Sequence, residues 1–81
     1  MEWRTYTPDG RVLAVRQTET GWAVACNGAE VEGAGLADAI RDVVSAEPGN
    51  ALLLHPEGRA TLEHWVVEAA ARIERDVGVA G

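Results

Sequence analysis

The chain has 81 residues, 47% of them hydrophobic and 25% charged, with a formal net charge of −6 at pH 7. That length holds a single domain with one core, and the apolar fraction excludes a disordered chain. The acidic balance repels a phosphate backbone, which disfavours direct nucleic-acid binding unless Arg4, Arg11 and Arg16 form a local patch, and the longest apolar runs, Ala51–Leu54 and Trp65–Val67, are far too short for a membrane span.

The first strand is expected over about residues 2–6, ending at Thr7-Pro8-Asp9-Gly10. In that turn Pro presets φ, Asp bonds its own backbone and Gly accepts φ > 0. A second strand follows over about residues 11–18, then a tight turn at Glu19-Thr20 before Gly21. The next signal is Asn27-Gly28 between alternating apolar residues, the strongest short-range mark of a hairpin. With that turn, Cys26 faces Ala29 and Val24 faces Val31. With a two-residue loop at Glu19-Thr20, Gln17 pairs with Trp22, Val15 with Val24 and Leu13 with Cys26. The two hairpins agree. Both put Leu13, Val15, Trp22, Val24, Cys26 and Val31 on one face, and Val12, Ala14, Arg16, Ala23, Ala25, Glu30 and Glu32 on the other.

Trp3 depends on the Pro8-Asp9-Gly10 turn. Without a bulge it falls opposite Ala14 on the second face; with one extra residue it falls opposite Val15 in the core, the register that such turns favour. Tyr6 takes the opposite side from Trp3.

Leu36, Ala39, Ile40, Val43 and Val44 recur at helical spacing, predicting a helix over about residues 35–47 that stops at Pro48-Gly49-Asn50. Residues 51–55 read as a last short strand before Pro56. A wide stripe of Leu62, Trp65, Val66, Ala69, Ala70, Ile73 and Val77 predicts a second helix from an N-cap at Thr61 to a stop at Gly78, with Glu68 able to pair with Arg72 at i+4. The expected fold is α+β: an antiparallel sheet in the order β-β-β-α-β-α, with a short Asn-Gly hairpin extension and two helices on one face.

No catalytic constellation emerges. Ser45 is the only serine, no two carboxylates are spaced as an acid/base pair, and Cys26 points inward in both registers, so no enzyme activity is expected. His64 and Glu68, one helical turn apart with His55 as a third candidate, have metal-ligand chemistry, but a two-residue pattern of this kind reads as a solvated helix face. His55 itself closes a strand before a Pro turn and reads as a surface residue. Gly33-Ala34-Gly35 precedes a helix but lacks the lysine and hydroxyl of a phosphate loop and is surrounded by Glu30, Glu32 and Asp38. No metal and no cofactor is expected.

The second sheet face is the candidate interaction surface. Ala14, Ala23 and Ala25 expose little side chain, so another flat surface can approach closely, with Arg16 meeting Glu30 or Glu32 of a partner. Trp3 joins this set in the register without a bulge, as part of an exposed apolar patch. The first 26 residues hold three of the seven arginines and three of the thirteen acids, leaving four arginines against ten acids in the rest. That asymmetry suits a basic protein partner. A second copy of the chain, forming a homodimer, is the other candidate occupant. Met1-Glu2-Trp3-Arg4 does not begin a signal peptide and Cys26 is the single cysteine, both of which fit the cytoplasm.

Gly21-Trp22-Ala23-Val24, Val31-Glu32-Gly33 and Leu36-Ala37-Asp38-Ala39-Ile40 together resemble the hairpin-to-helix pattern of HicB-type antitoxins and related uncharacterised small bacterial proteins. Leu52-Leu53-Leu54-His55 followed by Gly58-Arg59 resembles the last strand and turn of that uncharacterised group. The resemblance spans about residues 11–59. It implies a partial double-stranded-RNA-binding-like fold and, for the HicB type, toxin neutralisation. Where a full-length HicB antitoxin carries a DNA-binding segment, this chain continues into its second helix. No functional residue carries over.

Overall fold

A computed structural model describes residues 2–46 and 55–80, the side chains of 78–80 excepted. Four strands, β1 (Glu2–Tyr6), β2 (Val12–Gln17), β3 (Trp22–Cys26) and β4 (Ala29–Gly33), form one antiparallel meander in the order β1-β2-β3-β4. Helices α1 (Leu36–Ser45) and α2 (Pro56–Ala80) pack on one side of it. The Asn-Gly extension is thus a full fourth strand. The expected strand over residues 51–55 falls outside the described residues, apart from His55, which sits in a bend.

Each turn follows from its residues. Asn27 and Gly28 both take positive φ, 54° and 88°, as a two-residue hairpin of this twist requires. They set Cys26 against Ala29 and Val24 against Val31. Thr18 donates its N–H to the Gly21 carbonyl at 2.8 Å around Glu19-Thr20, setting Gln17 against Trp22. At the first turn Gly10 has φ 86° and donates to the Thr7 carbonyl, while the Thr7 N–H donates to the Arg11 carbonyl. This is the bulged turn, and it pairs Trp3 with Val15.

Alternation along these registers sorts the sheet. Leu13, Val15, Val24 and Cys26 are buried against Leu36, Ile40, Val43 and Val44 of α1 and Leu62, Val66, Ala70 and Ile73 of α2. Each fully buried aliphatic side chain contributes about 1.5–3 kcal/mol. Trp3 and Trp22 flank this core edge to face, with ring centroids 6.4 Å apart at 62°.

α1 begins at Leu36 with Gly35 as its N-cap, one residue later than expected. The start of α2 is corrected further. The helix begins at Pro56, so Thr61 lies inside it and is not its cap. Pro suits the first helical position because its missing N–H is one the helix leaves unsatisfied there, and the His55 carbonyl accepts the Arg59 N–H at 3.1 Å. The helix also continues past Gly78 to Ala80. A two-pronged clasp joins the helices: Arg41 Nε donates to Glu63 Oε2 at 2.8 Å and Nη2 to Oε1 at 2.6 Å, while Nη1 donates to Asp38 at 2.6 Å. Hydrogen bonds to Glu63 and Asp38 raise the Arg41 guanidinium above its ordinary value, and the bonds from Arg41 hold the Glu63 carboxyl below its own.

Candidate functional site: the open face of the sheet

The side of the sheet away from the helices carries Glu2, Arg4 and Tyr6 from β1; Val12, Ala14 and Arg16 from β2; Ala23 and Ala25 from β3; and Glu30 and Glu32 from β4. Ala14, Arg16, Ala23, Ala25, Glu30 and Glu32 therefore share one face, as the alternation predicts. Trp3 does not. The extra residue at the first turn rotates it to the helix side, and Tyr6 stands on the open face in its place.

Ala14, Ala23 and Ala25, with Glu2, Arg16 and Glu30 around them, line an open recess of about 130 Å³. Arg16 of β2 reaches across β3 to Glu30 of β4, Nη2 to Oε1 at 3.5 Å, so its acidic partner is within the chain. That bridge passes over the alanines, which explains why Ala23 is only 4% exposed on an otherwise open face. Arg4 pairs with Glu2 at 3.6 Å. All these charged side chains are largely solvated, and pairs of this kind contribute little to stability. At the end of the face next to the first turn, Tyr6 is 69% and Val12 48% exposed, opposite one another in register. The alternation of β2 already puts Val12 on this face; the side taken by Tyr6 hangs on Gly10, which marks the bulge and so decides which side of β1 faces outward.

Other candidates do not assemble. His64 Nε2 meets Glu68 Oε1 at 3.0 Å on the exposed side of α2, so Glu68 is taken by His64 and not Arg72. Among the described residues no three His, Cys, Asp or Glu side chains converge on a point that would hold a metal ion. Cys26 is buried in the core. At the N-terminus of α1, Gly35 provides no side-chain cap and Asp38 occupies the first turn, an arrangement hostile to phosphate. The open-face recess is well below the roughly 300–1,000 Å³ of small-molecule sites. What the face can do is meet a flat surface: a low floor, an aromatic and a valine at one end, and charges of both signs around it.

Among the described residues no helix is long and apolar enough to cross a membrane. Comparison of the chain with protein-family models, with curated proteins and with solved structures finds no match.

Proposed function

We propose that this chain is a small cytoplasmic protein-interaction module that docks the open face of its sheet onto another protein and carries out no reaction of its own. The observation that carries this reading is the exposed Tyr6–Val12 pair at the end of an alanine floor. A large aromatic left 69% in water beside a half-exposed valine is the kind of apolar anchor that contributes to binding when a partner desolvates it. The alanines let that partner approach the backbone once the solvated Arg16–Glu30 pair that crosses them swings aside.

A second reading, an antitoxin-like regulator that masks a basic protein, draws on Glu30 and Glu32 standing together on β4, on the net charge of −6 and on the resemblance to HicB-type antitoxins. It uses the same face and differs in the partner's charge.

The test is affinity capture from cells that produce the chain, comparing wild type with Ala14→Arg, which raises the floor, and with Val67→Arg on the exposed side of α2. Capture lost in Ala14→Arg and kept in Val67→Arg is the expected result. Capture that survives Ala14→Arg, or that Val67→Arg abolishes instead, overturns the assignment. A captured protein that is strongly basic favours the second reading.

A further inference from the structure

We propose that the outer edge of β1 takes an extended peptide segment of another protein as a further strand, one that carries an apolar side chain and, two residues along, a carboxylate. This surface is separate from the open face and stands whether or not that face is occupied.

The main chain sets the kind of partner. The Thr7 N–H donates to the Arg11 carbonyl, and along an antiparallel pair the residues that bond across alternate with those that do not. Trp3 and Thr5 therefore turn their N–H and C=O groups toward β2, whereas Glu2, Arg4 and Tyr6 turn theirs outward. β1 ends the sheet, with no strand beyond it among the described residues. A row of outward donors and acceptors of this kind is completed by an added strand.

A groove beside this edge sets the first side chain. Trp3, Arg4 and Thr5 meet Arg72, Ile73 and Asp76 of α2 around about 200 Å³ of open space, with Trp3 and Ile73 as its apolar walls. A strand added to β1 lies beside α2 here, so every second side chain on it points to the helix side. One of these fills the groove. The next stands about 7 Å further along, within reach of the long side chain of Arg72.

Charge sets the second side chain. Among the described residues neither Arg72 nor Arg75, which share the adjoining recess of α2, lies in an ion pair. Of the acids around them Glu68 meets His64, which leaves Asp76 alone against two free guanidinium groups. Arg4 is paired with Glu2 at 3.6 Å and weighs on neither side. A carboxylate on the added strand is therefore favoured. At the other edge the pairing of Cys26 with Ala29 around a two-residue turn directs the main chain of Glu30 and Glu32 outward, and an acidic strand is repelled there.

A peptide also fits better than a second copy. A copy paired along β1 about a two-fold axis would bring its own α2 onto the same side of the sheet, and strands about 4.8 Å apart leave two helices lying abreast short of the 8–10 Å they need. A bare peptide brings no helix.

Selection of random dodecapeptides displayed on phage, against the full chain, supplies the probe. A synthetic copy of the enriched sequence, N-methylated at one residue after another, is then titrated into isotope-labelled chain and followed by amide chemical shifts. Enriched peptides are expected to place Asp or Glu two positions from an apolar residue and to move the amides of Glu2, Arg4 and Tyr6 most. N-methylation is expected to abolish binding at alternate peptide residues and to be tolerated between them, the mark of main-chain pairing with one edge. Arg72→Glu is expected to weaken binding by roughly 3- to 10-fold. Arg4→Pro, which removes an outward N–H and leaves the bonds to β2, is expected to abolish it, and Val67→Arg to leave it unchanged. Circular dichroism checks the folding of each variant; should Arg4→Pro not fold, the N-methyl series decides, since it leaves the chain unaltered. No enrichment, N-methyl effects without the two-residue period, or shifts confined to the open face or the outer side of α2 overturn the inference. So does a wild-type dimer, seen by sedimentation equilibrium, that Arg4→Pro dissociates, because a second copy then holds the edge.

Discussion

Tyr6 stands directly opposite Val12 at the end of the β1–β2 ladder, and both point away from the core. Next along β2, Leu13 is fully buried beneath the helices. One residue of register therefore separates a side chain that stabilises the fold from one that is available to a partner. The double variant Tyr6→Ser/Val12→Thr is expected to change unfolding free energy by less than about 1 kcal/mol, since strand preference is all it disturbs, and to weaken association through the open face. Leu13→Ala is expected to cost about 2–5 kcal/mol. Urea denaturation of the two variants beside wild type checks the contrast.

The first turn is held by a small polar network. The Thr7 hydroxyl donates to Asp9 Oδ1 and accepts the Arg11 N–H at 2.9 Å, and Arg11 Nε donates to Asp9 Oδ2 at 2.9 Å. Partial burial of Asp9 disfavours its charged form, but the hydrogen bonds from Thr7 and Arg11, with the arginine's charge, outweigh this and hold the carboxyl below its ordinary value. Thr7→Val removes the hydroxyl from a buried position and is expected to cost about 1 kcal/mol for the lost hydrogen bonds. Because this turn sets which side of β1 faces outward, the emission of Trp3 beside Trp22 is expected to change with it. An unchanged midpoint and an unchanged fluorescence spectrum would contradict this role.

Arg41 and Glu63 tie α1 to α2. The sign follows from Glu63, whose carboxyl titrates lower in the folded chain than in the unfolded one. Its contribution is complete above the ordinary carboxylate pKa and is lost as pH falls through the lower folded value. Arg41→Gln is therefore expected to lower the melting temperature at pH 7, with the difference from wild type shrinking below about pH 4 and in high salt. Melting curves from pH 2.5 to 7 give the answer; a difference that grows in acid contradicts it.

Gly21 lies where β3 meets the end of β4. A Cβ there would stand 2.7 Å from Ala34 Cα and closer still to the Gly33 carbonyl oxygen, all backbone that cannot swing aside. Gly21→Ala is expected to destabilise by about 1–3 kcal/mol through this overlap. Gly28→Ala meets nothing within 4 Å but keeps a φ of 88°, so backbone strain alone sets its cost at about 1 kcal/mol. Thermal unfolding should rank Gly21→Ala as the more damaging of the two.

The four-strand meander was legible because each hairpin carries its own turn chemistry and the two inner registers agree on which side is buried. Trp3 was harder. Its side depends on one extra residue at Gly10, and the composition of β1, with Glu, Trp, Arg, Thr and Tyr in succession, does not alternate strongly enough to decide it. The start of α2 misled for a different reason: its apolar stripe begins at Leu62, so periodicity alone points to Thr61, whereas the first turn from Pro56 is exposed on nearly every side and gives no periodic signal. The alanine floor was visible as a pattern, but the Arg16–Glu30 bridge over it was not, because Arg16 had acidic neighbours on either side of its strand and only side-chain reach chooses between them.

The central claim is that the open sheet face, and not the outer side of the helices, meets the partner. Photo-cross-linking inside cells tests it directly, with p-benzoylphenylalanine placed at Tyr6 in one variant and at Val67 of α2, exposed to a similar degree at 53%, in another. Adducts from position 6 and none from position 67 are the predicted result. Adducts confined to position 67 would contradict the claim.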